Sequence, residues 1–282
     1  MAEQCEVCFR HCHLNEGQRG FCGGRICKDG KIIAGNYGKL TSLALDPIEK
    51  KPLRRFHPGS MILSAGSYGC NLRCPFCQNY EISWSDEAFH MAEEDMDVVS
   101  PERLLKAALY YKNFGNIGVA YTYNEPLVGY EYVRDCAKLI HENGMLNVLV
   151  SNGTASLDVL KELIPYIDAM NIDLKGFSDH YYNEVLGGDR QMTMAFIEEA
   201  VKHCHVELTC LIVPDENDSE EEMRNMCKWI HDLDGKGEIP LHISRFFPRF
   251  HMKDKEATDV KLIYHLADIA REQLKYVYTG NC

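Results

Sequence analysis

The sequence predicts an α/β fold: a partial (β/α)6 TIM-type barrel with an N-terminal cysteine-rich metal-binding segment. Three observations carry this. From residue 60 onward, six short apolar runs rich in β-branched residues alternate with amphipathic stretches of helical period. The chain has 13 cysteines, and most fall into two groups, one before residue 28 and one at 70–77. Charge is uneven as well: the net charge is −12, yet residues 1–59 hold ten Lys/Arg against six Asp/Glu, a local +4. That shift marks a boundary near Pro58-Gly59 and divides the chain into a cysteine-rich segment, 1–59, and a barrel, 60–282.

At 282 residues the chain is long enough for one α/β domain with an appendage. Met1-Ala2-Glu3-Gln4 does not resemble a signal peptide, and no apolar run approaches a membrane span. Without a secretory route, so many cysteines point to metal or cluster chemistry in a reducing cytoplasm rather than to disulfides. An acidic balance weighs against a nucleic-acid partner.

In the N-terminal segment, Cys5, Cys8, Cys12 and Cys22 form a first cluster, with Cys27 beyond and glycines 17, 20, 23 and 24 among them. Four thiolates suit a tetrahedral zinc ion, an iron ion or an iron–sulfur centre, and the residue types leave all three open. His11 and His13 read as surface residues. So short a segment needs such a staple to fold. Lys50-Lys51-Pro52-Leu53-Arg54-Arg55 faces an acidic partner, contacts the acidic barrel, or is a solvated linker.

The barrel elements follow in order. Met61–Ser64 is the first strand and runs into Gly69-Cys70-Asn71-Leu72-Arg73-Cys74-Pro75-Phe76-Cys77. Residues 81–99 read as a polar connection, after which Ser100 caps a helix with Pro101 at its first position and Gly115 at its end. Strands are expected at 117–123, 146–150, 169–174, 206–213 and 241–246, and helices at 127–142, 157–164, around 179–185, 193–203, 219–233 and 257–274. Tyr276-Val277-Tyr278 is a short closing strand.

Cys70, Cys74 and Cys77 have the tight spacing at which bacterial cluster loops wrap a cubane. Only three thiols are offered, so one iron stays open to a substrate or cosubstrate. Ordinary buried or zinc-binding cysteines are the competing reading. In a parallel barrel, reactive groups collect at the carboxyl ends of the strands. There stand Glu125 before Pro126, Ser151-Asn152-Gly153, Asp173 with Lys175 two residues on, and His242, Ser244 and Arg245, read together as pointing one way. Glu125 and Asp173 equally suit helix N-terminal caps, and His242 a satisfied core histidine.

Cys70-x3-Cys74-x-Phe76-Cys77 resembles the radical S-adenosylmethionine (SAM) superfamily. Glu125-Pro126 is similar to its Gly-Gly-Glu-Pro motif, with Tyr123-Asn124 in place of the glycines. Ser151-Asn152-Gly153 and Asp173-Leu174-Lys175 resemble the Thr-Asn-Gly and Asp-Leu-Lys of pyruvate formate-lyase activating enzymes. Cys5 to Cys22, Cys77-Gln78-Asn79-Tyr80-Glu81-Ile82-Ser83 and Leu241 to Pro248 resemble the radical SAM member of the AmmeMemoRadiSam system.

The resemblance implies a 4Fe-4S cluster on Cys70, Cys74 and Cys77, with SAM chelating the open iron. It implies reductive cleavage of SAM to a 5′-deoxyadenosyl radical that takes a hydrogen atom from a substrate. Glu125, Ser151, Asn152 and Asp173 would then bind SAM, with Lys175 and Arg245 the catalytic candidates. The implied partners are a reduced flavodoxin or ferredoxin-type donor, a peptide, protein or small-molecule substrate, and a Memo-like protein. Activation of a glycyl radical enzyme is one alternative, although Met61 to Tyr68 lacks the activase-type tryptophan motif. A non-catalytic iron–sulfur carrier or metal-binding adaptor is another.

Overall fold

The structure, a computed structural model, describes residues 2–93 and 96–282; residues 94 and 95 of the expected 81–99 connection, and Met1, lie outside these. Two small ladders occupy the N-terminal segment: β1 (Glu3–Gln4) with β2 (His13–Leu14), and the hairpin β3 (Arg25–Lys28) with β4 (Lys31–Ala34). The main sheet contains β5 (Ser42–Pro47), β6 (Met61–Gly66), β7 (Asn116–Tyr121), β8 (Leu146–Ser151), β9 (Ala169–Asp173), β10 (His205–Ile212), β11 (Leu241–Arg245) and β12 (Val277–Gly280). They neighbour one another in sequence order, with β5 and β12 at the edges. Strands β6 to β12 are parallel and β5 is antiparallel to β6. An open, partial barrel of six strand–helix units results, and its seventh parallel strand is the short closing run.

The helices are α1 (Tyr80–Ser83), α2 (Asp86–Glu93), α3 (Pro101–Tyr110), α4 (Tyr130–Glu142), α5 (Leu157–Leu163), α6 (Arg190–Ala200), α7 (Glu220–Asp234) and α8 (Val260–Arg271). Ser100 Oγ accepts from the Arg103 N–H with Pro101 behind it, and Gly115 takes φ +83 after the 3-10 turn that ends this unit. Both ends were legible. The connection at 81–99 is not wholly irregular: α1 and α2 fall in it, and Ser85 Oγ accepts from the Ala88 N–H. Ser85-Asp86-Glu87 is a local start signal. Phe89 of α2 lies under the Arg73 guanidinium and close to Gly23, both distant along the chain.

Outward-facing strand residues such as Leu63, Val119, Leu149, Ile172, Leu208 and Ile243 pack against the helices in the main core. The barrel interior is lined at its amino end by Ile62, Ala120, Val148 and Ala169, and the chain before β6 fills it with Ile48 and Leu53, both fully buried. Each such side chain contributes about 1.5–3 kcal/mol on burial. The basic stretch 50–55 therefore contacts the barrel as part of a plug, with the side chains of Lys50, Arg54 and Arg55 left exposed. Arg54 and Arg55 donate backbone N–H groups to Glu207, and Asn171 Nδ2 donates to the Pro52 carbonyl. Lys51 is buried against Asp46 at 2.8 Å.

The N-terminal segment is tied to the barrel by more than this plug. Strand β5, from that segment, pairs with β6 along its whole length. Arg25 donates from Nη1 to both carboxylate oxygens of Glu131 of α4, and Tyr37 donates to Asp135. These contacts hold the first cysteine cluster over the carboxyl end of the sheet.

Candidate functional site

The loop after β6 is held by its neighbours on both sides. Asn124 Oδ1 accepts from the Ser67 N–H, while its amide and the Glu125 N–H both donate to the Gly69 carbonyl. Tyr123, which stands where the superfamily motif has glycine, adopts φ +75. A side chain in that region is strained. Its hydroxyl offsets the cost by donating to Asp46 at 2.7 Å, under the Lys51 ammonium. Gly69 itself has φ +96, and a Cβ there would lie 2.7 Å from the Cys22 carbonyl. Gly69→Ala is expected to cost about 1–3 kcal/mol and to lower iron bound at Cys70, read by thermal melting and iron content. An unchanged melt with full iron would refute this account of the loop.

Phe76 wedges the loop into a second core with Leu72, Tyr181, Tyr182, Leu186, Val213 and Phe246, edge-on to Phe246. Cys70, Cys74 and Cys77 therefore stand together. Burial pushes the Cys74 thiol up to about 12, and the Cys77 charge adds to this while Lys175 opposes it. Cys70 and Cys77 are raised by burial too, Cys70 further by the charges of Glu125 and Cys74. Three neighbouring thiols, Cys74 buried and Cys70 and Cys77 half-buried, fit a metal-cluster ligand set.

Beside them lies Glu125, 3% exposed. Its carboxylate accepts from Ser151 Oγ at 2.8 Å, the Asn152 N–H at 2.8 Å and the Leu127 N–H at 3.1 Å. Burial raises its pKa to about 7 against these donors, and the charge of Asp173 adds to the rise. It caps the 3-10 turn at Pro126 as well, so its capping and site readings coincide. Asn152 Nδ2 donates to Asn71 Oδ1 at 3.0 Å, and the Asn71 amide reaches the Thr154 carbonyl. Sequence reasoning missed Asn71; its place next to Cys70 was the only available signal.

Asp173 and Lys175 pair at 2.9 Å, with Lys175 held charged by Asp173 and Cys74 against the effect of burial. The structure thus brings together Cys70, Cys74, Cys77, Glu125, Ser151, Asn152, Asp173 and Lys175.

Arg245 is not among them. Successive strand residues face opposite ways, so it cannot share a face with His242 and Ser244. It follows the parity of the helix-facing Leu241 and Ile243, donates from Nε to the Thr258 carbonyl and covers the Phe247 ring. His242 is a satisfied interior histidine, bonded to Glu207 near the amino end of the barrel.

Cys5, Cys8, Cys12 and Cys22 line one cavity with Val7, Arg10, Phe21, Arg25 and Asn71. Cys27 sits apart on β3, and Cys282 is exposed. Among the described residues no three His, Cys, Asp or Glu side chains form a group that could hold one metal ion.

A model of the radical SAM superfamily matches residues 65–227. An uncharacterised protein of Methanocaldococcus jannaschii is 39% identical over 287 residues, which cover 99% of this chain and 81% of that protein. The pyruvate formate-lyase 1-activating enzyme of Escherichia coli strain K12 is 26% identical over 179 residues, 61% of this chain and 70% of that enzyme. Among solved structures, Streptococcus suis SuiB bound to S-adenosylmethionine has a TM-score of 0.58 at 14% identity, covering 76% of this chain and 48% of SuiB; at that identity the likeness concerns the fold. Since the superfamily match takes in more than half of the residues and the thiol loop with its supporting carboxylate lies inside it, this chain belongs to the radical SAM superfamily.

Proposed function

We propose that Cys70, Cys74 and Cys77 bind a 4Fe-4S cluster with one iron left for SAM, and that Glu125 receives the SAM ammonium. When bound, the cluster supplies the electron that splits SAM, and the 5′-deoxyadenosyl group takes a hydrogen atom from the substrate. The observation that carries this is the buried Glu125 carboxylate, presented beside the three thiols by Ser151 and Asn152. Among the described residues the donors to Glu125 are neutral, and burial disfavours its charge; an ammonium group would supply the balancing positive charge. Asp173 and Lys175 form a polar rim on which the SAM ribose or carboxylate can be held. Arg245, turned towards residues 247–258, is left out of the catalytic set.

The substrate is a peptide or protein segment, or a small molecule, admitted at the carboxyl end of the open sheet. Similarity to the pyruvate formate-lyase 1-activating enzyme favours, as a second reading, hydrogen abstraction from a glycine of a partner enzyme. A reduced flavodoxin or ferredoxin-type protein is the expected donor, and a Memo-like protein a candidate partner. Reconstitution without oxygen, followed by SAM and dithionite, should release 5′-deoxyadenosine. A plain electron carrier or metal-binding adaptor would release none. Deuterium transfer into 5′-deoxyadenosine from labelled candidates would then identify the substrate.

Glu125→Gln tests the ammonium contact. It keeps the shape and removes the charge, so a charge-assisted bond worth about 1.5–3 kcal/mol is lost. SAM affinity should fall roughly 10- to 150-fold with iron content unchanged, as read by equilibrium dialysis. Undiminished affinity would remove Glu125 from the SAM site.

A further inference from the structure

Four of the five thiols of the N-terminal segment have no part in the chemistry just described, yet they are built against it. Cys5, Cys8 and Cys22 are each less than 10% exposed, Val7 and Val128 share their cavity, and only Cys12 is half-buried. Cys8 is within electrostatic reach of Cys5 and Cys12, and Cys22 of Cys8 and Cys5. Four thiols around one cavity match in number the four anchors of a fully ligated cubane.

The two sulfur sets also touch. The Cys70 N–H donates to the Cys22 carbonyl at 3.1 Å, so a ligand residue of one set is bonded to a ligand residue of the other through one peptide hydrogen bond. Gly69 makes this approach possible. Asn71 lines the N-terminal cavity while holding Asn152 on the catalytic side. Around the junction, the Phe21 ring is sandwiched between Arg10, 3.5 Å from its centroid, and Arg73 at 3.7 Å. Arg10 Nε donates to the Asn71 carbonyl, and Arg73 donates to the carbonyls of Cys70 and Phe21. Arg10 acts electrostatically on Cys8, Cys12, Cys22 and Cys70; Arg73 acts on Cys70, Cys22 and Cys74. Two guanidinium groups shared by both thiol sets favour the more negative, reduced state of whatever the thiols hold.

We propose that Cys5, Cys8, Cys12 and Cys22 carry a second iron–sulfur cluster that relays single electrons to the catalytic cluster across the Cys22–Cys70 hydrogen bond. The step moves one electron and no proton. A one-electron carrier protein is oxidised as the second cluster is reduced, and that cluster is reoxidised as the catalytic cluster is reduced. The relay rests on the radical SAM reading of Cys70, Cys74 and Cys77; the presence of the second cluster does not.

The full chain with Cys70, Cys74 and Cys77 all changed to Ala, reconstituted with ferrous iron and sulfide, isolates the second site. It should retain about four irons per chain and absorption near 400 nm that dithionite bleaches. Its reduced electron paramagnetic resonance signal should be insensitive to SAM. A colourless protein, or one holding zinc in place of iron, would overturn the proposal. In the unaltered chain the two reduced signals should broaden one another.

Cys12→Ser, with the catalytic thiols intact, tests the relay. 5′-Deoxyadenosine driven by a carrier protein should fall about tenfold or more, while the dithionite-driven yield holds. Equal loss with both reductants, or none with the carrier, would overturn the relay. Absence of 5′-deoxyadenosine from the unaltered chain under dithionite would instead count against the catalytic reading, which keeps the two failures apart.

Discussion

Alanine at Cys70, Cys74 or Cys77, one position at a time, is expected to abolish SAM cleavage. The fall in 5′-deoxyadenosine should be at least roughly 10³-fold, the scale on which an indispensable catalytic element registers. Each thiolate anchors a different iron, so two anchors leave the cluster with a second open corner and weak retention. Cys74 is buried and Cys70 and Cys77 are half-buried, and desolvation and neighbouring charge raise their pKa values. Little would be lost from the fold itself, because Phe76 still wedges the loop against Phe246. Cys227→Ala, at a buried cysteine of α7, is the control and should keep both iron and activity. Product formation above a tenth of normal in the Cys74 variant would remove that residue from the ligand set.

Glu207→Gln is expected to be the most destabilising conservative change in the barrel. The Glu207 side chain is fully buried and accepts from the Arg54 and Arg55 N–H groups at 3.0 and 2.7 Å, and from the imidazoles of His205 and His242 at 2.9 and 2.6 Å. Burial alone would raise its pKa; the hydrogen bonds from both histidines and both amides outweigh that and hold it at about 2.

A carboxylate depressed in the folded state adds stability that is full above its unfolded pKa, near 4.5, and is lost as pH falls towards about 2. Removing the charge from so enclosed a network should cost about 3–5 kcal/mol near neutral pH. It should also flatten the acid limb of the stability curve between those two values. For a chain of this size the melting temperature should drop roughly 6–15 °C. A melt within a degree of normal, or an unchanged acid limb, would mean that Glu207 does not hold the plug in place.

How much of this was readable beforehand follows from the distance over which each feature acts. Ser100-Pro101 and Gly115 signalled a helix and its end because capping is settled within a few residues. Apolar periodicity located six strands and their helices for the same reason. The short runs at 81–99 show the limit: Ser85-Asp86-Glu87 is a start signal, but Phe89 of α2 lies under Arg73, 16 residues back along the chain. Lys50 to Arg55 was ambiguous because charge does not reveal that Ile48 and Leu53, on either side of the first lysines, fill the barrel. Strand parity, which is readable from the sequence, sets Arg245 on the face of Leu241 and Ile243 and not with His242 and Ser244.

From the order of residues alone come the thiol spacing at Cys70, Cys74 and Cys77, the aromatic wedge between the last two, and the α/β alternation. Each is a relation among residues near one another along the chain, where geometry follows from spacing. The folded chain decided that Ser151 and Asn152 grip Glu125, that Tyr123 holds a glycine-like conformation against Asp46, and that Cys22 is bonded to Cys70. Those pairs lie tens of residues apart, and only sheet register and the docking of the N-terminal segment bring them within hydrogen-bonding range, so no local pattern encodes them.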